Sequence, residues 1–320
     1  MGHGKLRKFA ENETFGCLLQ PDASSVLVKD GSKALVLRDH PIKGHWIGQV
    51  FPSPGPIVLE LGCGKGDYTI ALAERHPEMN FIGVDIKGAR LWKGAKYATE
   101  RGLKNVAFLR TRIEFIGAFF GPDEVSRIWL TFSDPQLKSE NARLTSPLFL
   151  ERYRAFLAPG GLVCLKTDSR FLYEYTQAVV RANGLRLLAS STDIYAPQAM
   201  TTPDRRSATP PSLTAGPLPL TRPRVVPPGK HAFPGYSRVA TGPEWSQPEG
   251  PVTATTDWAE VTGVQTFYES MFLKMGLPIT YMEFTLEHEG PFVHPTDFDS
   301  DYWRKAEGPR RTFSHNPTKL

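Results

Sequence analysis

The sequence predicts an α/β fold in which a mostly parallel central sheet carries helices on both faces and ends in an antiparallel strand. Three observations predict it. From Pro56 to Glu174, short apolar runs alternate with longer amphipathic stretches, the rhythm of repeated βα units. A glycine-rich turn follows the first of those runs directly, where open α/β sheets bind ligands. Beyond these units, a strand, a helix and an alternating strand close the sheet.

Taken in order, the strands fall at Ile57–Leu61, Phe81–Asp85, Val106–Leu109, Arg127–Phe132 and Leu162–Thr167. Helical patterns lie between them at Tyr68–Arg75, Gly88–Arg101, Pro147–Leu157 and Phe171–Ala182. The third has Thr145 or Ser146 as its N-cap and Pro147 in its first turn, where a missing N–H costs nothing. Ala158-Pro159-Gly160-Gly161 should stop it. A sixth strand, Leu185–Ala189, follows Gly184, and after Tyr195 the character changes. Pro197 to Thr256 is dense in proline, glycine, serine and threonine, the composition of a flexible insertion. Order resumes with a helix over Val264–Met275, Gly276 as a stop, and a strand over Ile279–Leu286.

The expected organisation is a single interrupted domain. It comprises an N-terminal segment (1–50), a core in two parts (51–196 and 257–287), the insertion (197–256) and a tail (288–320). In the tail, Phe292, Phe298, Tyr302 and Trp303 stand among Arg304, Lys305, Arg310 and Arg311, which suits either packing on the core or a loose end.

Composition narrows the class. The chain has 320 residues, 40% of them hydrophobic, enough for a conventional core. Met1 to Phe15 is polar, and no apolar run approaches the roughly 20 residues that span a bilayer, so a soluble cytoplasmic protein without membrane attachment is expected. Cys17, Cys63 and Cys164 have neither disulfide-framework nor zinc spacing, and no metal site is expected. The net charge of +5 would suit a polyanionic partner, although many enzymes of this charge bind no nucleic acid.

The glycine turn reads Val58-Leu59-Glu60-Leu61-Gly62-Cys63-Gly64-Lys65-Gly66-Asp67. A dinucleotide fingerprint wants G-x-G-x-x-G, but Gly62, Gly64 and Gly66 stand at alternate positions and Asp67 replaces the third glycine. A phosphate loop wants a hydroxyl residue after its lysine, and Lys65 is followed by Gly66. What remains is E-x-G-x-G-x-G, which resembles the first motif of Rossmann-like class I methyltransferases and implies S-adenosylmethionine as cofactor. There an acidic Glu60 suits an ammonium group and would repel a diphosphate. Asp85, ending the second strand, is placed to accept hydrogen bonds from two ribose hydroxyls.

Residues after strands four and five are next to the ligand in such a fold. Here they are Asp134-Pro135-Gln136-Leu137-Lys138 and Thr167-Asp168, with Thr280-Tyr281-Met282-Glu283 on the last strand. With the glycine turn, and from Arg7-Lys8-Phe9-Ala10-Glu11-Asn12 through Thr285, the chain resembles the bacterial tRNA (guanine-N7)-methyltransferase family. The resemblance matches D-P-x-x-K to Asp134, Pro135 and Lys138, T-D to Thr167 and Asp168, and T-x-x-E to Thr280 and Glu283. It implies cofactor contacts from Glu60, Gly62, Gly64, Gly66, Asp85 and Asp134. It also implies substrate contacts from Lys138, Asp168, Thr280 and Glu283, with Asp134, Asp168 and Glu283 at the chemistry. The implied substrate is a tRNA guanine, position 46 of the variable loop, and the implied protein is a monomer or homodimer.

The chain departs from the family in two places, after strand four and after strand three. Gln136 replaces a usual tryptophan, and Ser139-Glu140-Asn141-Ala142-Arg143-Leu144 replaces a strongly basic run. The acidic or amide residue expected after strand three is also missing; Arg110-Thr111-Arg112-Ile113-Glu114 stands there, leaving backbone groups of Arg112 or Ile113 for the adenine.

Guanine N7 has an in-plane lone pair, so it needs no catalytic base, and its methylated product is a cation that nearby carboxylates stabilise. Asp168 would equally suit a helix cap and Glu283 a solvated strand position. Three other functions share parts of the pattern: a methyltransferase for another RNA, one for a small molecule, and a catalytically silent RNA-binding relative.

Overall fold

The computed structural model describes residues 3–32, 34–196 and 256–308, so the predicted insertion lies outside the described residues except for Thr256. Ten strands and nine α-helices are described. The strands are β1 (Leu18–Leu19), β2 (Leu27–Lys29), β3 (Leu35–Leu37), β4 (Ile57–Leu61), β5 (Asn80–Asp85), β6 (Val106–Arg110), β7 (Val125–Thr131), β8 (Leu157–Thr167), β9 (Leu187–Ser191) and β10 (Thr280–Thr285). The helices are α1 (His3–Asn12), α2 (Trp46–Gln49), α3 (Asp67–Arg75), α4 (Gly88–Arg101), α5 (Pro147–Arg154), α6 (Arg170–Ala182), α7 (Trp258–Gly263), α8 (Phe267–Lys274) and α9 (Ser300–Glu307).

Eight strands form one sheet in the order β1-β6-β5-β4-β7-β8-β10-β9. Every pairing is parallel except those of β10, which runs antiparallel to both β8 and β9. The chain winds outward from β4 to β5 and β6, then returns to β7 and β8 on the other side. The carboxyl ends of β4 and β7 therefore flank the switch point where such sheets bind ligands. This is the Rossmann-like class I methyltransferase arrangement expected from the sequence.

The period-2 alternation of a strand explains the two cores. Ile57, Leu59 and Leu61 of β4 join Ile82, Val84, Ile128 and Leu130 on one face, covered by Leu150, Tyr153, Tyr175 and Val179 of α5 and α6. Val58 joins Phe81, Phe108, Trp129, Cys164 and Tyr281 on the other, beneath Tyr68, Leu72, Leu91 and Ala95 of α3 and α4. Burial on both faces accounts for the nearly continuous apolar runs.

Several boundaries differ from expectation. The helix expected over Val264–Met275 is α8 alone, shortened at both ends, and a separate helix, α7, ends at Gly263 before that range begins. Lys166 donates to the Val261 and Val264 carbonyls at 2.7 and 3.0 Å, and Thr266 then starts a new helix through a capping box with Glu269. α5 stops at Arg154, and Ala158–Gly161 belongs to β8. That strand pairs early, Val125 with Leu157, and its register against β7 shifts before Arg127 meets Leu162, which accommodates the turn-forming residues as a bulge. Ser146 holds the N-cap position of α5, but its hydroxyl bonds to the Asn141 carbonyl at 3.3 Å and caps no amide.

Seven elements had no counterpart in the sequence reading: α1, β1, β2, β3, α2, α7 and α9. The tail is fastened to α6. Phe292 is buried, and Phe298 meets the rings of Phe171 and Tyr175 edge-on, each at 5.3 Å. Arg310 and Arg311 lie outside the described residues.

Candidate cofactor site and substrate rim

Between β4 and α3 the backbone turns through Gly62, Gly64 and Gly66, all with positive φ (84°, 59° and 76°), which side chains strongly disfavour. Nothing stands within 4 Å of where a Cβ would be at Gly62 or Gly64, so the loop presents bare backbone to open space. At Gly66 the constraint is internal, because a Cβ there would stand 2.5 Å from the Phe108 ring.

Asp85 is tied to this loop. One carboxylate oxygen accepts the Gly64 amide at 3.1 Å and the other the Lys87 amide at 2.7 Å. Each oxygen keeps a further lone pair for a hydroxyl donor. The expected ribose acceptor is thus oriented by the same loop that would receive the rest of the ligand.

Glu60 does something different from what its acidity suggested. It is buried, and its oxygens accept the Thr69 amide (2.9 Å), the Thr69 hydroxyl (2.5 Å) and the Thr131 hydroxyl (2.5 Å). One carboxyl group thereby joins β4, the first turn of α3 and the end of β7. Burial pushes its pKa up to about 7 against the opposing pull of the Thr131 and Thr69 hydrogen bonds.

The other half of the site lies beyond β7 and β8. Phe132 and Gln136 have positive φ (49° and 48°), costly for non-glycine residues, and between them Asp134 is exposed while Pro135 is buried. The loop is pinned at three points. The Phe132 amide bonds to the Lys166 carbonyl (2.8 Å), the Gln136 amide to the Asp134 carboxylate (2.9 Å), and Arg143 Nε to the Gln136 carbonyl (3.4 Å). Lys138, further along, is exposed.

Asp168 is half-buried at the end of β8. It is not the cap of α6: Ser169 accepts the Leu172 amide at 3.1 Å and takes that role. Thr280 pairs with Thr167 in register and donates to its carbonyl at 2.8 Å, which holds β10 against the rim. Glu283 lies deeper. It pairs with Cys164, is 4% exposed and accepts the Tyr281 hydroxyl at 2.5 Å, so it is a member of the sheet interior and not of the rim. Arg112 is exposed at the start of a short 3-10 helix, and its side chain pairs with Glu114 at 2.9 Å.

Sequence reasoning missed two supporting groups. Arg143, 2% exposed, lies over the rings of Tyr175 (4.2 Å) and Phe171 (4.7 Å) and thereby anchors the Asp134 loop to α6. No local pattern distinguishes it from a surface arginine. Lys166 and Glu269 form a fully buried ion pair at 2.8 Å, and Tyr195 donates to the same carboxylate at 2.7 Å. Burial lowers the Lys166 pKa, while Glu269 opposes the shift. Thr266-x-x-Glu269 is a capping-box signature and would have revealed the start of α8. α8 reaches both halves of the site, since Lys65 of the glycine loop lies 5.5 Å from the Phe267 ring and Phe132 lies 5.7 Å from Phe272.

Comparison with known proteins agrees with this geometry. A family model described as "Putative methyltransferase" matches residues 54–203. The tRNA (guanine-N(7)-)-methyltransferase of Christiangramia forsetii is 39% identical over 285 residues, 88% of this chain and 98% of the relative. That of Bacteroides fragilis is 36% identical over 313 residues, 98% of each chain. That of Porphyromonas gingivalis is 53% identical over 155 residues, 48% of this chain and 64% of the relative. With relatives this similar along nearly their whole length, the chain belongs to the tRNA (guanine-N(7)-)-methyltransferase family.

Proposed function

We propose that this protein transfers a methyl group from S-adenosylmethionine to N7 of guanine in tRNA, at guanine 46 of the variable loop. The observation that carries the reading is the cradle at the switch point, where Asp85 is bonded to Gly64 of an open glycine loop facing the rim that bears Asp134 and Asp168. The cofactor supplies an electrophilic methyl on a sulfonium. Asp85 would accept the two ribose hydroxyls, and the bare backbone at Gly62 and Gly64 would admit close approach.

The nucleophile needs no proton removed, so the chain has to orient the base and stabilise charge. Asp134 and Asp168, on loops after adjacent strands, provide negative potential where the purine becomes cationic. Orientation supplies the rest of the acceleration. Lys138, exposed on the same loop, meets an RNA phosphate. Thr280 fixes the edge of the rim, and Glu283 supports it from inside the sheet.

The test is nucleoside mass spectrometry of tRNA after reaction with methyl-labelled cofactor. The expected product is 7-methylguanosine, absent from a transcript with adenine at position 46. Label found only on adenine or cytosine would refute the substrate reading.

A further inference from the structure

Resting on that reading, we infer that the face formed by α1, the start of α4 and the end of β6 is where the tRNA backbone docks. This face sits beside the cofactor cradle, because Lys87 follows Asp85 by two residues and Arg110 is the register partner of Asp85 across β5 and β6. α1 is held there by specific contacts. Asn12 donates to the Gly88 carbonyl at 3.0 Å, and Trp92 Nε1 donates to Glu11 at 2.6 Å. A Cβ at Gly88 would stand 3.2 Å from the Phe9 ring and 3.3 Å from Arg110, so glycine lets helix, ring and guanidinium converge.

Five cations surround this convergence: Lys5, Lys8, Lys87, Arg90 and Arg110. Lys8 Nζ lies 4.4 Å from the Trp92 ring, and Arg110 and Lys5 lie 5.7 and 5.8 Å from Phe9. Among the described residues none of the five forms a salt bridge, whereas their neighbours do: Arg7 with Glu11 (3.3 Å), Lys93 with Asp67 (2.8 Å) and Lys96 with Glu100 (3.6 Å). A solvated helix face normally interleaves its charges, as those neighbours show. Glu11, which also lies on this face, is engaged by Arg7 and Trp92, so the five cations leave a net positive charge that raises the local concentration of a polyanion. The face also supplies cations in a chain whose Lys138 loop carries Glu140 and buries its Arg143. Phosphate contacts of this kind position an RNA without reading its sequence, which leaves recognition of the guanine to the rim.

The experiment measures tRNA affinity across a potassium chloride series for the full chain, for Lys5→Gln/Lys8→Gln and, independently on α4, for Lys87→Gln/Arg90→Gln. Loss of two phosphate contacts should flatten the log–log salt slope by about 1.4–1.8. Affinity at low salt should fall by about tenfold or more in each pair, on the scale of charge neutralisation. The α1 pair should bind S-adenosylhomocysteine like wild type in calorimetry, which shows that the fold is intact. Wild-type affinity and slope in both pairs would overturn the docking face and leave the proposed reaction standing. If the unaltered protein bound no tRNA at low salt, the substrate reading itself would fall and the docking face with it.

Discussion

Asp85 owes its orientation to two backbone amides, Gly64 at 3.1 Å and Lys87 at 2.7 Å. Replacing it with alanine removes the ribose acceptor and leaves the loop amide without its partner. Asp85→Ala should therefore weaken S-adenosylhomocysteine binding by about 1–3 kcal/mol in calorimetry, the scale of an unsatisfied polar group; unchanged affinity in a folded variant would contradict the assignment. Glu60 makes a different prediction. Its folded-state pKa of about 7 lies above the ordinary 4.5, so over that interval the folded state holds the proton more tightly. The resulting stabilisation is complete below the ordinary value and is lost as pH rises through the folded one, by on the order of 3 kcal/mol. Glu60→Gln has no such proton to lose. Its stability relative to wild type, measured by urea unfolding near about pH 5 and about pH 8, should shift in its favour at the higher pH by that order, and a pH-independent difference would show that Glu60 is ionised in the fold. The acidity of Glu60 was legible in the sequence, but its commitment to Thr69 and Thr131 was not, because those partners are 9 and 71 residues away.

At the scale of elements, what could be read were the strands from β4 to β8, whose apolar runs are buried on both faces and bounded by turn residues. The glycine loop and the rim motifs were readable for a related reason, since a chain at a switch point must supply particular residue types in a particular order. The division of α7 from α8 could not be read from periodicity, because it depends on Lys166 reaching two carbonyls across the fold. β1 is two residues long, and α9 is placed by packing against α6, where Glu307 accepts the Phe171 amide at 3.0 Å. The Lys166–Glu269 pair that orders α8 is also a single point of failure for the rim, because a buried charge robbed of its partner is costly. Lys166→Met should lower unfolding stability by about 3–5 kcal/mol in denaturant titration, and Lys166→Met/Glu269→Gln should recover part of the loss. If the double variant were no better than the single one, lost packing and not the stranded carboxylate would be the cause.

For the whole molecule, the question is how residues 197–255 can enter between β9 and α7 without disturbing the core. The flanking residues are held by contacts to the core. The Ile194 amide bonds to the Ile279 carbonyl at 2.8 Å, Tyr195 donates to Glu269 at 2.7 Å, and Asp257 caps α7 through the Ala259 and Glu260 amides at 2.9 and 3.1 Å. Trp258 meets Tyr281 edge-on at 5.6 Å, so the returning chain is docked on β10 at the first residue of α7. Lengthening a loop between two such fixed points costs only about 0.6 kcal/mol per doubling. Replacing 197–255 with a glycine-serine linker should therefore leave the melting temperature and S-adenosylhomocysteine affinity close to wild type, and unfolding would show that the segment is part of the core. The same variant separates two sources of RNA affinity. Within the segment, Arg205, Arg206, Arg222, Arg224, Lys230 and Arg238 outnumber Asp204, Glu244 and Glu249, and Phe233, Tyr236 and Trp245 offer faces on which bases stack. If these residues touch tRNA, the linker variant flattens the salt slope, and combining it with Lys5→Gln/Lys8→Gln flattens it further. An unchanged slope would assign the phosphate contacts to the α1–α4 face and make the insertion neutral for binding.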